Sequence, residues 1–297
     1  MLFLAAIRKP GLALNQLTNS PTKTMPHLTI NNANLWYDTL GAGEPLLLHH
    51  GYTASRENWL PVANILKQHY QVVVIECRGC GDSEHTKDGC NLEQYALDSV
   101  ELMHHLGHER FSFAGHSMGG GVGMTLAIKH PDKLEKLVLM AAVGSGGLVG
   151  DGFMANVEAR LEARRNKDRD FFERDYSAGR FRPEVQTEDW KNLRVHHLMN
   201  VVSDRHLIDS MKSMQAMDFT ADLKNIDTPT LVLSGGVDSL LNTNLDDYRH
   251  LPNACLQVFF RAGHEVGIHE TDGVADSIHQ FMQHGALNAQ TLRARNL

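Results

Sequence analysis

Short unbroken apolar runs alternate along the chain with longer stretches in which apolar residues return every three or four positions. The runs are Pro45–His49, Gln71–Glu76 around Val72-Val73-Val74-Ile75, Phe111–Ala114, Leu134–Ala142, Pro229–Ser234 and Cys255–Phe260. Runs of this length, bounded by polar or glycine-bearing turns, predict strands buried on both faces. Between them, Asn58–Gln68, Leu92–Leu106, Gly119–His130, Leu241–Leu251 and Asp272–Gln283 read as helices, and Pro131 stops the third. Two shorter strands, Leu28–Ile30 and Leu35–Asp38, flank the turn-forming pair Asn31-Asn32 and read as antiparallel. Strand–helix alternation predicts an α/β fold, a mainly parallel sheet with helices on both faces. Functional residues of such sheets gather beyond the carboxyl ends of the strands.

The rhythm breaks at Gly144. Gly144, Gly146, Gly147 and Gly150 open a strand-poor region that runs to about Ala221. Its mixed charges, from Arg160 to Asp170, predict a solvated helix face. Helical methionines such as Met199 and Met217 suit either a core or an adaptable apolar pocket, and Met154, Met211 and Met214 are the pocket candidates. The organisation expected is therefore a core of residues 28–143 and 222–284, with a helical lid, 144–221, inserted between two sheet strands. Residues 1–27 read as an extension outside the core and 285–297 as a polar, frayed tail.

One strand-to-helix junction carries chemistry. Phe111–Ala114 ends in Gly115-His116-Ser117-Met118-Gly119, a Gly-x-Ser-x-Gly pattern in which a tight turn pushes the serine out of the sheet. The N–H that follows it, that of Met118, points with the helix N-terminus toward any oxyanion formed there. A serine hydroxyl is a weak nucleophile at neutral pH and needs an imidazole oriented by a carboxylate. Two later strand ends supply them: Gly235-Gly236-Val237-Asp238 and Gly263-His264. Asp246 and Asp247 are rivals to Asp238, but fall within the following helix; His269 is a rival to His264, a turn further on. His50 and His116 flank the site and read as packing or hydrogen-bonding groups beside it, as does Gly51.

Composition narrows the partners. A net charge of −7 argues against a nucleic-acid partner and offers no basic patch for a membrane, and no apolar run approaches the ~20 residues of a membrane span. The four cysteines are too few for a disulfide scaffold. Cys77-x-x-Cys80 could form half of a redox or zinc site, but no second Cys-x-x-Cys exists and reduced loop cysteines are the expectation, with no metal. Met1–Ile7 is apolar with Arg8-Lys9 after it, the wrong order for a secretory signal, so a cytoplasmic location is expected.

With His50-Gly51-Tyr52, Arg78-Gly79-Cys80-Gly81-Asp82-Ser83, the serine motif, Asp238 and Gly263-His264 in view, residues 28–284 resemble the α/β-hydrolase superfamily. The resemblance is to its lid-bearing branch of serine esterases, lactonases, haloperoxidase-like perhydrolases and meta-cleavage-product hydrolases. It implies Ser117 as nucleophile, His264 as base and acid, Asp238 as orienting carboxylate, and the Tyr52 and Met118 amides as an oxyanion hole, with no cofactor. Haloalkane dehalogenases and epoxide hydrolases of this fold need an aspartate at position 117. The activity implied is hydrolysis of small to medium apolar carboxylic esters, with lactone cleavage a near neighbour. Carbon–carbon hydrolysis of dienoic keto acids is the alternative; relatives of that kind often have Trp after the histidine, where this chain has Glu265-Val266-Gly267. Their basic lid residues bind substrate carboxylates, a part Arg180 and Arg182 could play. A ligand receptor on a hydrolase fold is the reading from another class.

Overall fold

The computed structural model describes residues 27–294. The expected extension therefore lies almost wholly outside the described residues. Eight strands form one sheet in the order β1-β2-β4-β3-β5-β6-β7-β8. They are β1 His27–Ile30, β2 Ala33–Leu40, β3 Glu44–His49, β4 Tyr70–Ile75, β5 Phe111–His116, β6 Leu134–Met140, β7 Thr230–Gly235 and β8 Ala254–Phe259. β1 pairs antiparallel with β2 and β2 with β4; every other pairing is parallel. The fold class read from the sequence is the one observed.

Alternate side chains of the central strands enter opposite layers because the strand period is two. Leu47, Val73, Ile75 and Phe113 face one core, and Leu46, Leu48, Val72, Val74 and Ala114 face the other. Helices α2 (Leu92–His105) and α3 (Met118–Lys129) cover the first; α1 (Leu60–Leu66) belongs to the second. Asn91 caps α2, its side chain accepting the Gln94 N–H at 2.9 Å, which satisfies one of the first-turn amides.

Between β6 and β7 lie α4 (Gly152–Arg165), α5 (Arg169–Gly179), α6 (Glu188–His196) and α7 (Asp204–Ala216), with no strand among them. Side chains from α7, Leu207, Met211 and Met214, extend the first core, while Phe172, Tyr176, Val195 and Leu198 form a small core of their own. After β7 come α8 (Leu241–His250), then α9 (Val266–His269) and α10 (Thr271–His284), and α10 closes the second core through Val274, Ile278 and Phe281. The tail departs from expectation. Residues 289–294 form α11 (Ala289–Ala294), Ala286 is buried, and Asn288 donates to the Ala254 carbonyl at 2.6 Å. That bond satisfies a main-chain acceptor at the start of edge strand β8, which a frayed tail would leave to water. No helix among the described residues is long and apolar enough to cross a membrane.

Candidate active site

Ser117 occupies the junction between β5 and α3 with φ 56° and ψ −113°, a conformation costly for a residue with a side chain. The surroundings impose it. Ser117 N donates to Met140 O at 2.9 Å, while Ser117 O accepts from Gly120 N at 2.9 Å and Val143 N at 3.0 Å. A methyl group on Gly115 would drive into the Gly119 carbonyl, and one on Gly119 into the carbonyl of His49. The two glycines of the motif are therefore needed for close approach of main chain to main chain.

His264 reaches this serine from the loop after β8. Its Nε2 lies 2.9 Å from Ser117 Oγ, and its Nδ1 lies 3.0 Å from Asp238 Oδ2, on the loop after β7. The Asp238 side chain is almost fully buried. Burial raises its pKa, but the His264 hydrogen bond and charge and the Leu240 N–H outweigh that and hold the carboxyl below its ordinary value. An Nδ1–H held by this carboxylate leaves the Nε2 lone pair facing the hydroxyl, the tautomer that can accept its proton.

The rival residues are occupied elsewhere. Asp247 accepts from Ser145 N at 2.9 Å and Ser145 Oγ at 2.6 Å, anchoring the start of the insertion, and Asp246 pairs with Arg249. His269 Nδ1 accepts from Gly263 N at 3.0 Å, which shapes the loop carrying His264. His116 lies with its ring centroid 5.0 Å from that of His264, and its Nε2–H donates to His264 O at 2.8 Å. Burial and the neighbouring His264 lower its pKa to about 3, so it stays neutral and braces the main chain.

A cavity of about 630 Å³ opens over Ser117, lined by Tyr52, His116, His264, Met211, Met214 and Arg180 among others. Met154, expected in the pocket, does not line it and packs against the first core; its neighbours Phe153 and Asn156 face the cavity instead. His50 also lies off the cavity. Its Nδ1 meets Gly51 O at 2.9 Å and its Nε2 accepts from Cys77 N at 3.1 Å, bracing the turn that leads to Tyr52. A Cβ on Gly51 would stand 2.9 Å from Ser117 Cβ, so this turn lies directly against the serine. Tyr52 is held from the insertion, its hydroxyl donating to Leu207 O at 2.7 Å. Among the described residues no protein acceptor engages the N–H of Tyr52 or of Met118.

Sequence reasoning missed a buried ionic network beside His264. Glu265 Oε1 accepts from Arg194 Nε at 3.0 Å, and Oε2 accepts from Gln186 at 2.7 Å, Tyr176 at 2.8 Å and Trp190 at 2.9 Å. Arg194 Nη1 also donates to Thr53 O at 3.0 Å. Burial raises the Glu265 pKa, but Arg194 and these donors more than offset it, leaving it at about 2. Arg180 has no such partner. Among the described residues no carboxylate lies within ion-pair distance of it, and it donates only to Thr53 Oγ1, at 3.3 Å. Burial and the neighbouring Arg160 and Arg194 lower its pKa.

A sheet of this topology and a serine held at positive φ in a strand–helix turn are the features of a hydrolase fold. The alpha/beta hydrolase fold model matches residues 44–271, more than half of the chain, and the chain belongs to that family. It is 26% identical over 281 residues to a non-heme haloperoxidase of Rhodococcus erythropolis, covering 87% of this chain and 100% of the relative. Its backbone matches a hydrolase from Pseudomonas aeruginosa PA01 with a TM-score of 0.80 at 24% identity, over 88% of this chain and 99% of that one. The enol-lactonase of Burkholderia xenovorans LB400 matches with a TM-score of 0.76 at 21% identity, over 87% and 100%. At these identities the two structures carry the fold and leave the substrate open.

Proposed function

We propose that the protein is a serine hydrolase that cleaves carboxylic esters through an acyl-enzyme on Ser117. The observation that carries this is the continuous relay from Asp238 through His264 to the Ser117 hydroxyl, at 3.0 and 2.9 Å, facing a large cavity. His264 takes the hydroxyl proton as Ser117 attacks the ester carbonyl. The amides of Tyr52 and Met118 receive the oxyanion, each such donor being worth about 10²–10³ in rate. His264 then protonates the leaving alcohol and activates the water that releases the acid. The helical insertion acts as a lid, and no cofactor takes part.

The test is release of nitrophenol from 4-nitrophenyl acetate and butyrate by the wild type and by Ser117→Ala. Loss of turnover in the variant with burst kinetics in the wild type supports the acyl-enzyme. Equal turnover by both overturns it.

Arg180 favours a second reading at the level of substrate. A guanidinium with no carboxylate partner among the described residues, lining a cavity beside Arg160 and Arg194, suits a substrate that brings its own anionic group. Arg182 does not line the cavity and stands beside Gly263, so only one of the two arginines considered from the sequence bears on this. Acidic esters, lactones with a free carboxylate and keto acids all fit that description.

A further inference from the structure

Cys77 and Cys80, on the loop after β4, take no part in the chemistry proposed for Ser117. Cys80 N donates to Cys77 O at 3.0 Å, closing a tight turn. One ligand atom from each cysteine and one from His50 lie within 4.8 Å of one another, and all three residues are sealed from solvent. The half-site visible in the sequence is thus joined by a histidine far along the chain from it.

A fourth group comes from the insertion. His206, on α7, is fully buried, its ring is stacked on Tyr52 with centroids 5.6 Å apart, and a methyl group on Gly79, between the two cysteines, would stand 2.9 Å from its Cβ. Its Nδ1 meets Tyr95 Oη at 2.7 Å, and that hydroxyl is also 2.8 Å from Ser210 Oγ. Its Nε2 is buried with no hydrogen-bond partner among the described residues. A buried polar atom left without a partner is destabilising, so the position calls for an explanation.

The outer hydrogen bonds supply one. The His50 Nδ1–H donates to Gly51 O and the His206 Nδ1 is engaged by Tyr95 Oη, which leaves the two Nε2 atoms as the candidate ligands: that of His50 accepts the Cys77 N–H at 3.1 Å and that of His206 is unpartnered among the described residues. An imidazole fixed through one nitrogen with the other turned toward thiols is the arrangement of a metal-ligating histidine. Two thiolates and two imidazoles match tetrahedral zinc. Zinc bonds of about 2.3 Å to sulfur and 2.0 Å to nitrogen place tetrahedral ligand atoms roughly 3.3–3.8 Å apart, so His50, Cys77 and Cys80 need close by only about 1–1.5 Å, with His206 moving in from α7 as the fourth ligand. The frame is already tied: Ser203 N, which caps α7, donates to Gly79 O at 2.8 Å, between the two cysteines.

We propose that His50, Cys77, Cys80 and His206 form a closed structural zinc site that fastens α7 of the insertion to the turn carrying Tyr52. On binding, the two thiols release their protons to solvent, and the metal takes the Nε2 lone pair of His50 that now accepts the Cys77 N–H. With four protein ligands no position is left for substrate, so the metal acts on the position of Tyr52 and not on the reaction itself.

The full chain, purified without a polyhistidine tag, is loaded with zinc or cobalt(II). About one zinc per chain, removed by a strong chelator with a fall in Tm, is the expected result. The cobalt form should show a thiolate charge-transfer band and the intense visible bands of tetrahedral coordination. This spectrum is read on the wild type, so it decides the matter even where a cysteine variant fails to fold. Tyr95→Phe, which removes the outer partner of His206, should weaken zinc binding about 10–100-fold. A wild type that binds no zinc at micromolar concentration, a cobalt spectrum without the thiolate band, or a Cys77→Ser/Cys80→Ser protein that retains its metal each overturns the proposal.

Discussion

Arg194 donates from Nε to Glu265 Oε1 across 3.0 Å, with both side chains only 2% exposed, joining α6 of the insertion to the residue that follows His264. The same guanidinium holds Thr53 O on the turn that bears Tyr52, so one cation fixes both sides of the site. Removing one partner leaves the other charged and buried, a situation that costs about 3–5 kcal/mol. Glu265→Gln and Arg194→Met are each expected to lower the urea midpoint by this scale and to depress kcat more than they raise KM. The double variant should lose less than the sum of the two, and a thermodynamic cycle built on unfolding free energies checks this. Additive losses would mean the pair does not act as a unit.

Asp238 and Asp247 are both buried carboxylates after β7, yet only Asp238 reaches His264. Asp238→Asn offers the imidazole the wrong hydrogen-bond pattern and should reduce kcat by about 10⁴ on 4-nitrophenyl butyrate. Asp247→Asn loses the anchor to Ser145 and should lower Tm while kcat of the folded fraction stays within about threefold. Steady-state kinetics on both purified variants, with folded fraction measured by circular dichroism, separates the two roles. An inactive Asp247→Asn beside an active Asp238→Asn would reverse the assignment.

Much of this arrangement was legible because its signals are local. Ser117, Asp238 and His264 each follow an apolar run, and the end of a strand in a parallel sheet points to the same edge as the ends of its neighbours. Side-chain phase on an isolated helix is harder to read: Met154 falls on the core side of α4, while the adjacent Phe153 and the later Asn156 face the cavity. Glu265 and its donors were illegible for a different reason. Tyr176, Gln186, Trp190 and Arg194 lie some 70 to 90 positions away in sequence, and no periodicity records which buried acid a distant helix will meet. The same holds for His50 and His206 around Cys77-x-x-Cys80.

Three buried histidines predict how stability changes with pH. Burial lowers His49 to about 4, His116 to about 3 and His197 to about 4, against an ordinary value of 6.5. Between those limits the unfolded chain binds protons that the folded chain does not, so unfolding is favoured as pH falls. Stability should be flat with respect to these groups above pH 6.5 and should drop progressively from there toward pH 4.5. About two to three protons should be taken up on unfolding, read from the slope of unfolding free energy against pH. His116→Gln should remove about one of them. Stability that increased as pH fell through this window would contradict the neutral state assigned to these rings.

Arg180 yields the sharpest prediction about substrate. Among the described residues its guanidinium lines the cavity with no carboxylate partner, so a substrate carboxylate would supply the ion pair that the buried arginines already have: Arg160 with Asp175, Arg194 with Glu265 and Arg78 with Asp98. A charge-assisted hydrogen bond of this kind is worth about 1.5–3 kcal/mol, or roughly 10–100-fold in kcat/KM. The matched esters 4-nitrophenyl hydrogen glutarate and 4-nitrophenyl pentanoate differ in little but the terminal carboxylate. The wild type should prefer the acidic ester by that factor, and Arg180→Met should lower the ratio of the two kcat/KM values to near one, with Arg180→Lys recovering part of it. Titration of free glutarate into wild type and Arg180→Met gives the same comparison without turnover, so an absent esterase activity would not hide the anion site. A wild type that turns over the neutral ester better, and binds glutarate no more tightly than Arg180→Met does, would show that the cavity is built for uncharged substrates.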